Sequence, residues 1–163
     1  MIARVEAKLG FSLPPDLRAS FAIHDGQDHD APPLFAGLRL LSLEGVVELA
    51  SWIKDDLAAS PSPPARGLPP GTVNDVWEST SWLPIGTDDG GNHISIDLAP
   101  APLGIFGQLI YVYSKHPDRP RIATSFVEFL DARVQEWETG AAEPVVDDGW
   151  LVGVGLRHRW RGE

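Results

Sequence analysis

The segment HDGQDHD, residues 24–30, gathers the side chains in this sequence that are best suited to chemistry. Two histidines and three aspartates within seven residues could bind zinc or a pair of metal ions. Two ligands on one helix should lie three or four residues apart to share a face, whereas His24 and His29 are five apart, with a helix-ending Gly26 between them. We therefore predict a helix end followed by a solvated acidic loop. A metal-dependent hydrolase that uses this cluster is kept as a second alternative.

The segment DDGGN, residues 88–92, raises the question of a calcium or phosphate site. A calcium loop needs oxygen ligands at alternating positions and a glutamate at the twelfth, but counting from Asp88 places Gly90 at the third position and Ala99 at the twelfth. A P-loop needs a Lys–Ser/Thr pair that enters a helix, which this stretch lacks. Asp-Gly and Gly-Asn pairs favour the positive φ angles of a hairpin turn. The segment is therefore predicted to be the turn between two strands.

Nucleophilic catalysis finds no support in the sequence patterns. No serine lies in a G-x-S-x-G elbow, and the chain has no cysteine. Adjacent acids such as Asp55–Asp56 and Asp147–Asp148 are typical of the solvated surface of an acidic protein. We predict a protein that is not an enzyme, with no catalytic residues, no metal and no cofactor.

The charge balance narrows the classes of partner. The 163 residues carry 23 acidic and 13 basic side chains, a net charge of −10. Nucleic-acid binders depend on Lys and Arg that meet phosphates, so this balance argues against them and favours a basic protein partner. Glu6 lies where a signal peptide needs an apolar run, and no stretch reaches membrane-spanning length. With no cysteine to form disulfides, we predict a cytoplasmic protein with no nucleic-acid or membrane partner.

The spacing of apolar residues predicts three helices in the first 58 residues. The first ends at Gly10, and the second begins at the prolines of SLPPDL and ends at Gly26. A short strand at 38–43 precedes a third helix that Ser42 can cap. The apolar stripes that predict these helices are Ile2, Val5 and Leu9; Leu17, Phe21 and His24; and Val46, Leu49, Ala50, Ile53 and Leu57.

The segment ASPSPPARGLPPGT, residues 59–72, differs in kind from its surroundings. Its prolines and glycines oppose both a helix and a central strand, so we predict an exposed loop. Neither flank could form a core of its own. The segment is interpreted as an insertion within one domain.

Strands and one long helix are predicted for the second half of the chain. Alternation in HISIDL, residues 93–98, predicts a half-buried strand. IFGQLIYVY, residues 105–113, is apolar almost throughout and is predicted as a central strand covered on both faces. Ser125 and Glu128 form a capping box at the start of a helix that Gly140 ends, and the tail from Trp150 has short β character. The apolar face of this helix is predicted from Phe126, Phe129, Leu130, Val134 and Trp137. Trp52 and Trp137 are predicted to be core residues.

Five segments in this order resemble one family. VEAKLGFSLPPDLRASFAIHDGQ at 5–27 is similar to the N-terminal signature of the SUKH superfamily, and GLRLLSLEGV at 37–46 to the strand and helix that follow it. WLPIGTDDGGNHISIDLAP at 82–100 resembles its Trp–Pro–Ile strand, glycine-rich turn and second strand. GIFGQLIYV at 104–112 and IATSFVEFL at 122–130 resemble its Gly-x-x-Gly-Gln strand and closing helix. The resemblance covers residues 2–138.

The resemblance implies an α+β fold in a single domain, with a central, mostly antiparallel sheet flanked by N-terminal and C-terminal helices. We expect this domain at 1–140, with its proline-rich insertion at 59–72 and a C-terminal extension at 141–163 that packs on it or trails from it. The family's recurring residues carry over as structural ones that shape turns and the sheet. They are Trp82, Pro84, Gly90, Gly91, Asp97, Pro100, Gly104 and Gly107.

The family includes a fungal regulator of cell-wall glucan synthesis and bacterial immunity proteins that neutralise toxins, and its members are generally not enzymes. The resemblance implies a non-enzymatic protein-binding module, and the main hypothesis is a cytoplasmic immunity protein that blocks a basic toxin domain. A regulatory scaffold of the fungal kind is the alternative. The residues predicted to face the partner are acidic: Asp28, Asp30, Asp55, Asp56, Asp88 and Asp89.

Overall fold

The computed structural model describes residues 1–28, 30, 33, 37–60, 62–147 and 150–156, and for 143–147 and 150–156 it describes the backbone alone. The elements in chain order are α1 Ile2–Leu9, α2 Pro15–Ile23, β1 Arg39–Leu40, α3 Leu43–Ala59, β2 Arg66–Leu68, β3 Trp82–Thr87, β4 His93–Asp97, β5 Gln108–Val112, β6 Asp118–Ala123, α4 Phe126–Glu138, β7 Ala142–Asp147 and β8 Trp150–Leu156. In this part of the chain, four helices and a six-stranded sheet form one domain, which confirms the predicted α+β class.

The central sheet has the strand order β1-β3-β4-β5-β6-β2. Neighbouring strands pair antiparallel, except that the edge strand β2 runs parallel to β6. The predicted hairpin is formed by β3 and β4, with Trp82 opposite Asp97 and Thr87 opposite His93. Strand β5 holds the predicted central place, and β7 and β8 form a separate two-stranded hairpin.

The main core lies between the helices and one face of the sheet. Leu83, Ile96 and Leu109 come from the three adjacent strands β3, β4 and β5. They share one apolar cluster with Leu17 of α2 and Phe126 of α4, and each of the five is at most 2% exposed. Burying an apolar side chain of this size contributes roughly 1.5–3 kcal/mol to the stability of the fold.

A smaller cluster lies on the opposite face of the sheet. Successive residues of a strand point to opposite faces, so Trp82 and Ile110 point away from the main core. They pack with Val112 and with Val73, which belongs to the segment between β2 and β3. That segment therefore covers the second face.

Three predicted helix boundaries are confirmed. Gly10 ends α1 in the left-handed region at φ 80°. The hydroxyl of Ser42 accepts a hydrogen bond from the backbone N–H of Gly45 at 3.2 Å, and Ser125 accepts one from Glu128 at 3.1 Å. Each of these side chains satisfies an N–H group that the first turn of a helix leaves without a partner.

Two details of these boundaries differ from the prediction. The carboxylate of Glu128 accepts the backbone N–H of Thr124, one residue before the N-cap residue of the expected capping box. Helix α2 ends at Ile23, so His24 lies beyond the helix and not in its apolar stripe.

The prediction of an exposed loop at 59–72 is wrong at Arg66–Leu68 and at Thr72. Arg66–Leu68 forms β2 at the sheet edge, and Thr72 is 6% exposed. Gly67 lies so close to the next segment that a Cβ atom there would be 2.0 Å from the carbonyl oxygen of Val73. Proline and glycine oppose a central strand, but an edge strand needs a partner on one side only, which explains the difference.

The core assignment of Trp52 and Trp137 is wrong, because their side chains are 62% and 42% exposed. Val134 is also 53% exposed. Helix α4 instead buries Arg133, which bonds Glu136 at 2.5 Å and places its guanidinium 5.4 Å from the centre of the Phe129 ring. The long aliphatic part of an arginine can fill apolar space while its charged end keeps a partner, so the apolar face of α4 is narrower than predicted.

Candidate functional site

The hairpin tip between β3 and β4 is held by Asp88. Its Oδ1 atom accepts hydrogen bonds from the backbone N–H groups of Gly90 at 2.8 Å and Asn92 at 3.0 Å. Asp89 at φ 58° and Gly91 at φ 96° occupy the left-handed positions that the DDGGN pattern predicts. The predicted turn is confirmed, and the turn itself uses the Asp88 carboxylate.

An ion pair joins this tip to β1. Nη2 of Arg39 donates to both carboxylate oxygens of Asp89, at 3.1 and 3.0 Å. The Asp89 side chain is 66% exposed and that of Arg39 is 14% exposed. Water screens a pair with one open partner, so the pair positions β1 more than it stabilises the fold.

Residues 25–27 of the HDGQDHD segment lie beside β1 and the start of α3, and they have structural contacts that sequence reasoning missed. The backbone N–H of Gln27 donates to the carbonyl of Leu40 at 3.0 Å, and its side-chain oxygen accepts the Leu40 N–H at 3.0 Å. Asp25 accepts the N–H of Leu43, the first residue of α3, at 2.7 Å. Because Asp25 and Leu43 lie 18 residues apart, no local pattern could have revealed this contact.

The metal alternative for this segment receives no geometric support. Across the described residues, no three His, Asp or Glu side chains lie where they could hold one metal ion together. His29 lies outside those residues. The absence of a metal site therefore stays a prediction.

Five of the six acidic residues predicted to face a partner fall into two regions. Asp28 follows Gln27 beside β1, near the hairpin tip that holds Asp88 and Asp89. Asp55 and Asp56 lie towards the end of α3, about 18 Å along the helix from its start at the rise of an α-helix. All six are exposed: Asp28, Asp30, Asp55, Asp56, Asp88 and Asp89. Their role in binding stays a prediction.

A buried polar node joins the end of β4 to the start of β5. Nε2 of Gln108 donates to the carbonyl oxygen of Thr72 at 2.7 Å and to Oδ2 of Asp97 at 3.0 Å. The other oxygen of Asp97 accepts the N–H of Ala99 at 3.1 Å. Asp97 and Gln108 are fully buried. The node therefore joins the segment between β2 and β3, which contains Thr72 and packs on the second face of the sheet, to strands β4 and β5.

The protonation of this node follows from its burial. Burial raises the pKa of Asp97 above its ordinary value of 3.8, while the hydrogen bonds from Gln108 and Ala99 act in the opposite direction. The indole of Trp82 also lowers the pKa, although its N–H has no hydrogen bond of regular geometry within the described part of the chain. Each oxygen of the Asp97 carboxyl accepts a hydrogen bond from the protein, one from the Ala99 N–H and one from the Gln108 side chain, and the residue is shielded from solvent. Its role is therefore to hold the surrounding structure together.

Two glycines shape the loop between β4 and β5. A Cβ atom on Gly104 would lie 2.1 Å from the carbonyl oxygen of Thr72, so no larger residue fits there. Gly107 adopts φ 85°, which favours glycine. The side-chain oxygen of Gln108 accepts the N–H of Ile105 at 3.1 Å and holds the loop from within.

Other residues that the resemblance marks as structural lie nearby. Trp82 and Pro84 belong to β3, and Pro100 lies 2.6 Å from the position of a Cβ atom on Gly104. The structural role of the whole set stays a prediction.

This loop presents apolar side chains to solvent. Leu103 is 72% exposed, Phe106 63% and Ile105 46%. The prediction of a covered strand from residue 105 is wrong at this point, because β5 begins only at Gln108. The two glycines that flank Ile105 and Phe106 were the available signal of a loop.

A serine and a histidine on the second face do not form a catalytic pair. Ser95 is fully buried, and its hydroxyl finds no hydrogen-bond partner among the described residues. Nε2 of His93 lies 3.4 Å from a carboxylate oxygen of Glu78. A nucleophile needs a base within hydrogen-bond reach and access for a substrate, and Ser95 has neither within the described structure.

A groove of about 220 Å³ lies between α2 and β1. Its lining is mainly apolar, from Leu17, Phe21, Leu40, Ile85 and Phe126, with Ser20, His24 and Gln27 beside them. Gln27 already bonds β1, and Ser20 and His24 are joined in the described structure by a backbone hydrogen bond of α2 and by no side-chain hydrogen bond, so they do not form a nucleophile–base pair.

The chain is similar in sequence to proteins that are named as regulators. A family model described as the SMI1 / KNR4 family (SUKH-1) matches residues 1–132. The cell wall biosynthesis/cell cycle regulator smi1 of Schizosaccharomyces pombe is 33% identical over 154 residues, which cover 83% of this chain and 30% of that protein. The cell wall assembly regulator SMI1 of Saccharomyces cerevisiae is 29% identical, covering 85% of this chain and 35% of that protein.

A glucan synthesis regulatory protein of Neurospora crassa is 26% identical, covering 83% of this chain and 32% of that protein. The chain thus spans about a third of the length of these relatives. Within the described ranges, no helix is both long enough and apolar enough to cross a membrane.

Proposed function

The chain belongs to the SMI1/KNR4 (SUKH-1) family, and from that membership we propose that it is a non-catalytic regulatory scaffold that binds other proteins of its own cell. The observation that carries the proposal is that the motif residues Asp97 and Gln108 have a structural role inside the protein. Both are fully buried, and their polar atoms meet each other and the backbone. An enzyme places such groups at a cleft that a substrate can reach.

The names of the relatives support the regulatory part of this proposal. The two yeast proteins are named as regulators of cell-wall biosynthesis or assembly. These names favour the scaffold hypothesis over the immunity hypothesis. The proposed module spans residues 1–140, with 141–163 as an extension, and its proposed location is the cytoplasm.

A domain exchange in fission yeast tests the scaffold proposal. The segment of smi1 that this chain matches is replaced by the chain, and wall integrity is measured as resistance of the cells to digestion by a β-glucanase. We expect more resistance than in cells whose smi1 lacks the segment. A folded, expressed chimera that behaves like the deletion would count against a shared regulatory role.

Immunity against a toxin is the second candidate function, and the net charge of −10 favours it. Toxins that cleave nucleic acids are basic where they grip phosphates, so an acidic surface complements them. Expression of the neighbouring gene's C-terminal domain with and without this chain tests this candidate. If that domain is harmless alone, or remains toxic while the two proteins fail to bind, the immunity function is wrong.

A further inference from the structure

We propose that the loop between β4 and β5 is a docking surface for a folded protein that offers an apolar pocket rimmed by Lys and Arg. The surface, called here the apolar loop patch, rests on the proposed protein-binding function and names where it takes place. Its members are exposed and apolar: Pro69, Pro70, Pro102, Leu103, Ile105 and Phe106.

Hydrogen bonds hold the backbone of the patch in the chain alone. The N–H of Gly104 donates to the carbonyl of Ala101 at 2.8 Å, and that of Gly107 donates to the backbone carbonyl of Asp97 at 2.9 Å. The N–H of Ile105 is held at 3.1 Å by the buried side chain of Gln108. A loop that is ordered before binding loses little conformational entropy on binding. More of the free energy gained by burying its apolar side chains is therefore available as binding affinity.

The patch continues onto the proline-rich segment. The N–H of Leu103 donates to the carbonyl of Gly71 at 2.9 Å, and a Cβ atom on Gly71 would touch the Leu103 side chain at 3.1 Å. Pro69 and Pro70 precede this contact and are exposed. Proline has no backbone N–H, so this border adds apolar area without adding a donor that needs water.

The charge of the chain favours a basic partner. Asp75 is exposed, and its carboxylate accepts the N–H of Gly67, two residues before Pro69. Arg66, on the same strand as Gly67, is already paired with Asp118 at 2.6 Å. A second copy of the chain would bring the same net charge of −10 against the first, which opposes such pairing. A partner with a basic rim around its pocket complements both the apolar patch and the net negative charge of the chain.

A folded partner fits this surface better than an extended peptide. The edge of the sheet nearest to the patch is β2, where the N–H of Gly67 already donates to Asp75 at 2.7 Å. A strand added to this edge would therefore find that backbone donor occupied. Leu103, Ile105 and Phe106 project as separate side chains, which suits insertion into a pocket.

Photo-crosslinking followed by titration tests the proposal. In the host cell, p-benzoylphenylalanine replaces Phe106, and in separate strains Trp52 or Asp56. Trp52 is a matched control, since it is an aromatic side chain that is 62% exposed but lies on α3. The protein captured through position 106 is identified, purified and titrated against the 163-residue chain by calorimetry.

We expect Phe106→Ala and Leu103→Ala each to weaken binding of that protein at least tenfold, the loss typical of anchoring residues. Trp52→Ala should change the dissociation constant less than twofold, and raising the salt concentration should weaken binding by the wild type. Equal melting temperatures would show that the exposed substitutions leave the fold intact.

The remaining outcomes overturn the proposal. Capture through Trp52 or Asp56 alone, or affinity within twofold of wild type for both patch variants, would place the interface elsewhere and leave the protein-binding function standing. A wild-type dimer in sedimentation velocity that Phe106→Ala dissociates would make a second copy the occupant. Failure of all three positions to capture any protein would contradict the proposed function as well.

Discussion

Asp16 caps helix α4 from the other end of the chain, because its Oδ2 atom accepts the backbone N–H of Phe126 at 3.1 Å across 110 residues of sequence. The same oxygen accepts the N–H of Val127 at 3.3 Å. A helix start carries unpaired N–H groups and a partial positive charge, so a carboxylate there is favourable on both counts. The contact fixes α2 against α4.

Replacing Asp16 by alanine should lower the free energy of unfolding by about 1–2 kcal/mol, since two N–H groups at the start of α4 lose their acceptor. Urea denaturation measures the change. Asp131→Ala is the matched control, because Asp131 is exposed within the same helix but away from its start. Equal effects of the two substitutions would show that the capping contact contributes nothing.

The two loop glycines should differ in their tolerance of a methyl group. Gly104→Ala should cost more than 2 kcal/mol, because the new atom meets a backbone carbonyl at 2.1 Å. Gly107→Ala should cost about 1 kcal/mol, because its space is open and only the positive φ opposes alanine. Thermal melts compare the variants, and a larger loss at Gly107 would mean that the tight contact relaxes easily.

The buried carboxyl of Asp97 should make stability depend on pH. Burial raises its pKa in the folded state, so the folded protein binds the proton more tightly than the unfolded chain. Its contribution to stability is fully present below about 3.8 and is lost as the pH rises through the higher pKa of the folded state. The unfolding free energy of the wild type minus that of Asp97→Asn should therefore fall between pH 3 and pH 7. Urea titrations across this range test the sign, and a difference that grows with pH would contradict it.

Two residues that were predicted on the same face of α4 should respond differently to truncation. Phe129 is 2% exposed, so Phe129→Ala should cost about 3–5 kcal/mol through lost burial and a cavity. Val134 is 53% exposed, so Val134→Ala should change stability by less than about 0.5 kcal/mol. Denaturant midpoints of the two variants provide the measurement, and similar losses would mean that α4 packs differently.

Charge reversal should affect stability differently at two of the acidic residues that are predicted to face a partner. Asp56→Lys should leave the melting temperature nearly unchanged, because Asp56 is exposed on α3. Asp88→Lys should destabilise by about 1–2 kcal/mol, because the hairpin tip loses the acceptor of two backbone N–H groups. Calorimetric melts decide the matter, and an unchanged melting temperature for Asp88→Lys would show that the tip holds without its carboxylate.

Features set by neighbours in sequence could be predicted well. Gly10, Ser42 and Ser125 end or begin helices through contacts within a few residues, so the pattern carries the whole cause. The DDGGN turn is similar, since Asp88 bonds residues two and four positions later. Such local causes are visible in a single sequence.

Burial set by distant segments could not be predicted. Trp52 lies beside the apolar stripe of α3, and whether a residue there is covered depends on which elements pack against the helix. Ile105 and Phe106 continue an apolar run into β5, but they lie exposed in a loop that is anchored to the distant segment around Thr72. The exposed loop between β4 and β5 could not be predicted for this reason, because its shape depends on the hydrogen bond between Gln108 and Thr72, which are 36 residues apart.

The order of strands in the sheet also has a consequence for biosynthesis. The two edge strands, β1 and β2, precede in sequence the four central strands that they flank. As the chain leaves the ribosome, residues up to Leu68 emerge before any strand that could pair with them exists. The antiparallel run from β3 to β6 joins neighbours in sequence and can form quickly, whereas the edges must wait for long-range closure. We therefore expect the N-terminal half to depend on chaperones during translation, because its apolar surface stays open until the centre of the sheet has been made.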